Sequence, residues 1–196
     1  MAPQGGPEAG AFLRAPLVCE YTRVDNEHFN IFLRRRARIP LTTGRSHCTA
    51  HICFRSGCSR LNQFGDHPAA CPWTGGLRRR GAAFERAFRP LWSEAGVHAQ
   101  EHPLVRELIP GIRAGDNRQS DVVVRGLRLG RGLPVVSDMC MMSALHQDGT
   151  PWAGADDYDG VAIERGIAAK HSTYPELVSS DRVKFLVLAC EEGGRW

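Results

Sequence analysis

Lysine is nearly missing from this chain of 196 residues: of its 25 basic residues, only Lys170 and Lys184 are lysines. The arginine excess reads as GC-rich coding rather than chemistry, but it makes each lysine conspicuous. Long apolar runs are missing too. No stretch of 18 apolar residues occurs, which excludes a membrane-spanning helix. The N-terminus, MAPQGGPEAG, lacks the charged-then-apolar pattern of a signal peptide. The expectation is a soluble intracellular protein, nuclear or cytoplasmic, with no membrane partner and not secreted. The cysteine count is odd, at 7, and without a secretory signal this argues against a disulfide framework. What the chain does have is 42% hydrophobic residues, enough for a core in its central and C-terminal parts.

Charge is unevenly spread. Residues 1–100 carry 14 arginines against 7 acidic residues, whereas residues 101–196 carry 11 basic against 14 acidic ones. A basic front and an acidic back suit a chain that grips a polyanion with one part and holds cations with the other. Arginines that merely solvate a surface would give the same balance.

The pattern along the chain divides it into four parts. Residues 1–24 read as disordered or extended. Residues 25–42 read as a basic helix over 25–39, with Asp25 as N-cap, Pro40 as its stop and Arg34, Arg35, Arg36 and Arg38 on its exposed side. Residues 43–76 are rich in Cys, His, Gly and Ser, with little periodicity. Residues 77–196 form the main domain. Within it, Phe84, Phe88, Leu91, Trp92 and Ala95 are spaced for a helix over 77–96, with a kink or break expected at Pro90 and an end at Gly96. SDVVVRGLRLGRGLPVVSDMCMM reads as two strands around a Gly130–Gly132 turn, residues 157–171 as a helix, and VKFLVLAC (183–190) as a buried strand. The fold class that follows is α/β (α+β).

Two constellations carry chemistry. The first is Cys53-x4-Cys58-x8-His67-x3-Cys71, in which two ligand pairs flank a short loop, as a tetrahedral Zn2+ site requires. Cys48 could stand in for Cys53 as first ligand, and His47 and His51 lie close by. The gaps are looser than paired CxxC motifs, and incidental or buried cysteines remain an alternative. The second is Asp121 and Asp138. Their midpoint falls within a residue or two of the expected turn, so an antiparallel pair would set them nearly opposite each other, able to share a divalent ion such as Mg2+ or Mn2+. Acidic turn or edge residues are the plainer alternative, although Asp138 among apolar neighbours calls for a partner or a metal. Position 140, where an Asp-x-Lys motif would place its lysine, is Cys140. Lys170, on the following helix, could reach back to the strand, or could be a solvated helix-end cation. Glu85, in AFERAF, could add a carboxylate from the preceding helix.

Taken together, these residues resemble the zinc-knuckle and restriction-like endonuclease region, of the PD-(D/E)XK class, found in LINE-type retrotransposon reverse-transcriptase polyproteins. The stretches AGAFLRAP, QFGDHPAAC, RRGAAFERAF, SALHQDGTP, TYPELV and EEGGRW are similar to retroelement-derived open reading frames of dinoflagellates. The resemblance spans residues 9–196. It implies a small CCHC knuckle followed by a restriction-endonuclease-like core with a central mixed sheet flanked by helices, truncated at its C-terminal end. It also implies structural Zn2+ on Cys53, Cys58, His67 and Cys71, and catalytic Mg2+ or Mn2+ on Asp121 and Asp138. Lys170 would be a relocated catalytic lysine and Tyr174 its neighbour in the family's Lys-then-Tyr pattern. The implied partner is DNA, or RNA, contacted by Arg34–Arg36 and by Arg78, Arg79 and Arg80, with a parent reverse transcriptase as a further partner. Ser120 departs from the family's proline and Cys140 from its lysine, so the implied activity is either Mg2+-dependent DNA cleavage or nucleic-acid binding by an inactive remnant.

Overall fold

The computed structural model describes residues 26–41, 63–66, 70, 81–82, 86, 90–92, 94–128, 131–146, 148–155 and 157–191. The described elements run α1 (Asn26–Arg36), β1 (His98–Glu101), α2 (Val105–Leu108), β2 (Val122–Arg125), β3 (Val135–Met142), α3 (Val161–Thr173), α4 (Pro175–Val178) and β4 (Lys184–Glu191). The chain divides into two compact units. One comprises Met1–Arg78, Met142–Ile163 and Cys190–Trp196; the other comprises Arg79–Met141 and Glu164–Ala189. Among the described residues no helix is long and apolar enough to cross a membrane. The N-terminal segment 1–24, most of the Cys/His segment and the C-terminal end at 192–196 lie outside the described residues.

The second unit is built on a mixed four-stranded sheet of order β1-β2-β3-β4. β1 and β2 are antiparallel, as are β2 and β3, with Val122 opposite Ser137, Val123 opposite Val136 and Val124 opposite Val135. The unbroken valines of β2 and the start of β3 are fully or almost fully buried, as expected of central strands covered on both faces. Of the expected Gly130–Gly132 turn, Gly130 lies outside the described residues. In its described part, Arg131 and Gly132 both take positive φ, the conformation that glycine adopts at little cost. β4 follows through α3 and α4, and the Lys184 N–H donates to the Pro134 carbonyl at 2.8 Å.

Alternation puts Val123 and Val136 on one face, where they join Val105, Tyr174, Leu177 and Val183 in the core. Leu108, Ile109, Ile112 and Phe185, partly buried, pack against this cluster. Pro175 sits in the first turn of α4, and the residue before a proline is driven out of helical conformation. Tyr174 accordingly has φ −126° and ψ 54°, and α3 stops there. The sequence missed β1, which is only four mostly exposed residues, HAQE. It also missed the single-turn helices α2 and α4.

The basic helix is shorter than its sequence pattern, ending at Arg36 rather than at residue 39. Arg34 turns its guanidinium onto the Pro40 carbonyl at 3.0 Å. Arg38 has left the helix with φ 54°, and it pairs at 2.5 Å with Asp66, which is 2% exposed. Its guanidinium also lies 4.3 Å from the centre of the Phe64 ring. These two arginines are therefore engaged within their own unit rather than standing free on one helix face. Around Pro90, residues 90–92 and 94 are helical, and Gly96 closes the segment with φ 66°.

Candidate functional site

Extending the β2–β3 register by one residue sets Asp121 opposite Asp138, on the sheet face that carries Val123 and Val136. The sequence midpoint foresaw this juxtaposition. Asp138 is 2% exposed, and no well-aligned hydrogen bond reaches its Oδ2. What does reach it is charge: the Lys170 ammonium lies 3.0 Å from that oxygen. Lys170 itself is partly exposed on the last turn of α3. A buried carboxylate without a counter-charge would be strongly unfavourable, so this contact explains how Asp138 sits among apolar neighbours.

Asp121 reaches across the strand pair, where its Oδ2 accepts the Met139 N–H at 2.5 Å. Its carbonyl accepts the His102 N–H at 2.9 Å, tying the start of β2 to the end of β1. Ser120 ties the start of β2 to the segment before α2. Its N–H donates to the Pro103 carbonyl at 3.2 Å, a bond that proline could not make.

Tyr174 lies four residues beyond Lys170, a spacing that places both on one side of the helix end. Its buried hydroxyl donates to the Gln119 carbonyl at 2.6 Å and lies within reach of the Asp138 carboxyl. Burial first, and the Asp138 charge second, push the phenol pKa well up, so Tyr174 is a neutral hydrogen-bond donor. Cys140 lies on the same face, two residues along from Asp138. Burial raises its thiol pKa, opposed by the Lys170 charge, so position 140 contributes a neutral group and no cation.

A further cation supports the site from behind. Arg118 binds Asp116 and Glu176, each at 2.7 Å through Nη2, and donates to the Thr173 carbonyl at the end of α3. Hydrogen bonds from Arg118 hold both carboxyls below their ordinary range. With the Tyr174–Gln119 bond, this network fastens the lead-in to β2 onto the α3–α4 junction, and so fixes Asp121 relative to Lys170. No local pattern signals it, because one arginine among so many has nothing to mark it.

Asp121, Asp138, Lys170 and Tyr174 are thus brought together. Glu85, Cys48, Cys53, Cys58, His67, Cys71, Arg78, Arg79 and Arg80 lie outside the described residues, as does the side chain of Arg36. Arg34 and Arg35 lie on α1.

The two aspartates are a chemically reasonable holder for a hard divalent cation. They offer carboxylate oxygens, and Asp138 Oδ2 has a charge contact but no aligned hydrogen bond. Among the described residues no group of three or more His, Cys, Asp or Glu side chains is arranged to hold a metal. A Mg2+-type ion is compatible with that, since it is commonly bound by one or two carboxylates and completes its shell with water and phosphate oxygens. Comparison with known protein families and with curated proteins finds no match for this chain.

Proposed function

We propose that this chain is a retroelement-derived, metal-dependent DNA endonuclease domain of the restriction-like class, joined to a zinc knuckle. The observation that carries the reading is the Lys170 ammonium on Asp138, with Asp121 opposite it on the neighbouring strand. Cys140 leaves the strand without its lysine, and the helix supplies the charge from another direction. Asp121 and Asp138 would hold Mg2+ or Mn2+. That ion would acidify an attacking water and neutralise charge on the scissile phosphate.

The remaining chemistry belongs to the chain's own side chains. Lys170 is placed to orient the water or to face negative charge as it develops on the phosphate. Tyr174 steadies Asp138, and Arg118 fixes the helix end that carries Lys170. Cys53, Cys58, His67 and Cys71 would bind structural Zn2+. Arginines of α1 and the Arg78–Arg80 run would contact phosphates of DNA, or of RNA, sequence-independently.

A second reading, a catalytically inactive nucleic-acid-binding remnant of a retrotransposon polyprotein, is favoured by one observation: position 140 offers a neutral thiol where the family pattern has a cation. A plasmid-nicking assay with Mg2+ or Mn2+ separates the two. Wild type should nick, and Asp138→Ala should lose at least about a hundredfold in rate. Equal nicking by both would refute this site as the catalytic one. Tight DNA binding with no nicking by wild type in either cation would leave the remnant.

A further inference from the structure

We propose that Lys170 is a built-in competitor for the cation of this site: its ammonium occupies the Asp138 oxygen, holds divalent affinity down, and must let go of Asp138 when the site loads. This rests on the nuclease reading and adds to it a statement of how the site is regulated.

The argument is one of charge and reach. Asp138 is 2% exposed, and the charge contact on its Oδ2 is Lys170, at 3.0 Å. Asp121 has one of its oxygens committed to the Met139 amide. With Lys170 in place, the two carboxylates and the ammonium carry a formal charge of about −1; without it, about −2. A divalent cation on the two aspartates would stand within a few ångströms of the ammonium. In a half-buried site such a like-charge approach is strongly unfavourable. Ammonium and divalent ion therefore exclude one another at Asp138.

Lys170 has somewhere to go. It sits on the last turn of α3 with its side chain 28% exposed, and a flexible four-carbon stem can carry the ammonium towards water. The neighbours do not replace it at Asp138. Cys140 and Tyr174, a thiol and a phenol, have no cationic form. Release of Lys170 on loading would free a positive charge for the substrate phosphate, so that a loaded site grips DNA better than an empty one.

The test is calorimetric titration of the full chain with Mn2+, which needs no turnover. Lys170→Met and Lys170→Gln should each bind Mn2+ at least about tenfold more tightly than wild type. Asp138→Asn, added to either variant, should abolish the gain, which assigns the binding to this site and not to the Cys/His segment. Two uncharged replacements guard against one of them folding poorly, and a thermal melt of each reports that directly. If wild type binds Mn2+ through Asp138 and both Lys170 variants bind it equally or more weakly, the competition is refuted while the nuclease reading stands. If Asp138→Asn leaves Mn2+ binding unchanged in every background, the two aspartates hold no cation, and the nuclease reading falls with the inference.

Discussion

Replacing Tyr174 by phenylalanine removes one oxygen from the chain and leaves the ring in its core position against Val105, Val123, Val136, Leu177 and Val183. The lost group donates to the Gln119 carbonyl at 2.6 Å, in a residue only 6% exposed. Leaving that acceptor without a partner costs about 1–2 kcal/mol. For a chain of this size the melting temperature should fall by about 2–8 °C. The alkaline side adds a second signature. The folded phenol is pushed above its ordinary value of 10.0 by burial and by Asp138. Above that pH the unfolded chain gives up the proton while the folded chain keeps it. The contribution is therefore complete below pH 10 and is lost as pH rises beyond it. Urea unfolding of wild type and Tyr174→Phe at pH 7 and at several points up to about pH 11 measures both effects. The two proteins should differ at neutral pH and converge above pH 10. Equal stability at pH 7, or a gap that stays constant through the alkaline range, would refute the picture of a buried, proton-retaining Tyr174.

The Arg118 network should show on the acid side. Asp116 and Glu176 are held below their ordinary values of 3.8 and 4.5, so their contribution is present above those values and is lost as pH falls through the lowered ones. Wild type should lose stability more steeply than Arg118→Met below about pH 4.5, by a modest amount because all three side chains are partly exposed. Parallel acid profiles in urea would show that the network contributes nothing. The Cys/His segment makes a compositional prediction: purified protein should hold about one zinc ion per chain by mass spectrometry, and Cys58→Ser should lose it. Zinc absent from freshly purified wild type would rule out the knuckle.

What could be read in the sequence, and what could not, follows from how each feature is encoded. The β2–β3 pairing was legible because the valine runs mark both strands and the glycines between them mark a connection. From that, the opposition of Asp121 and Asp138 follows by counting. Lys170 stood out only because lysine is so rare. β1 was illegible because HAQE has no apolar alternation, and its place in the sheet comes from pairing with β2 rather than from its own composition. Arg118 was hidden for the opposite reason, being one of a crowd. The end of α1 was misplaced because periodicity continues to residue 39, whereas Arg38 is drawn away by Asp66, a partner 28 positions further on. Pairing at that distance leaves no trace in a local pattern.

Supplying the charge from α3 rather than from the strand sets where the chain can change length. The pairing of the aspartates is held by the valine register between them and the β2–β3 connection, so residues could be gained or lost in that connection without changing which residue faces which. α3 has no such freedom. Each residue of an α-helix turns the next by about 100°. One insertion within α3 ahead of Lys170 would swing its ammonium off Asp138, and a compensating full turn would displace it by about 5 Å. Drift in length can therefore accumulate in the hairpin loop, while the helix stays locked in phase with the aspartate it neutralises.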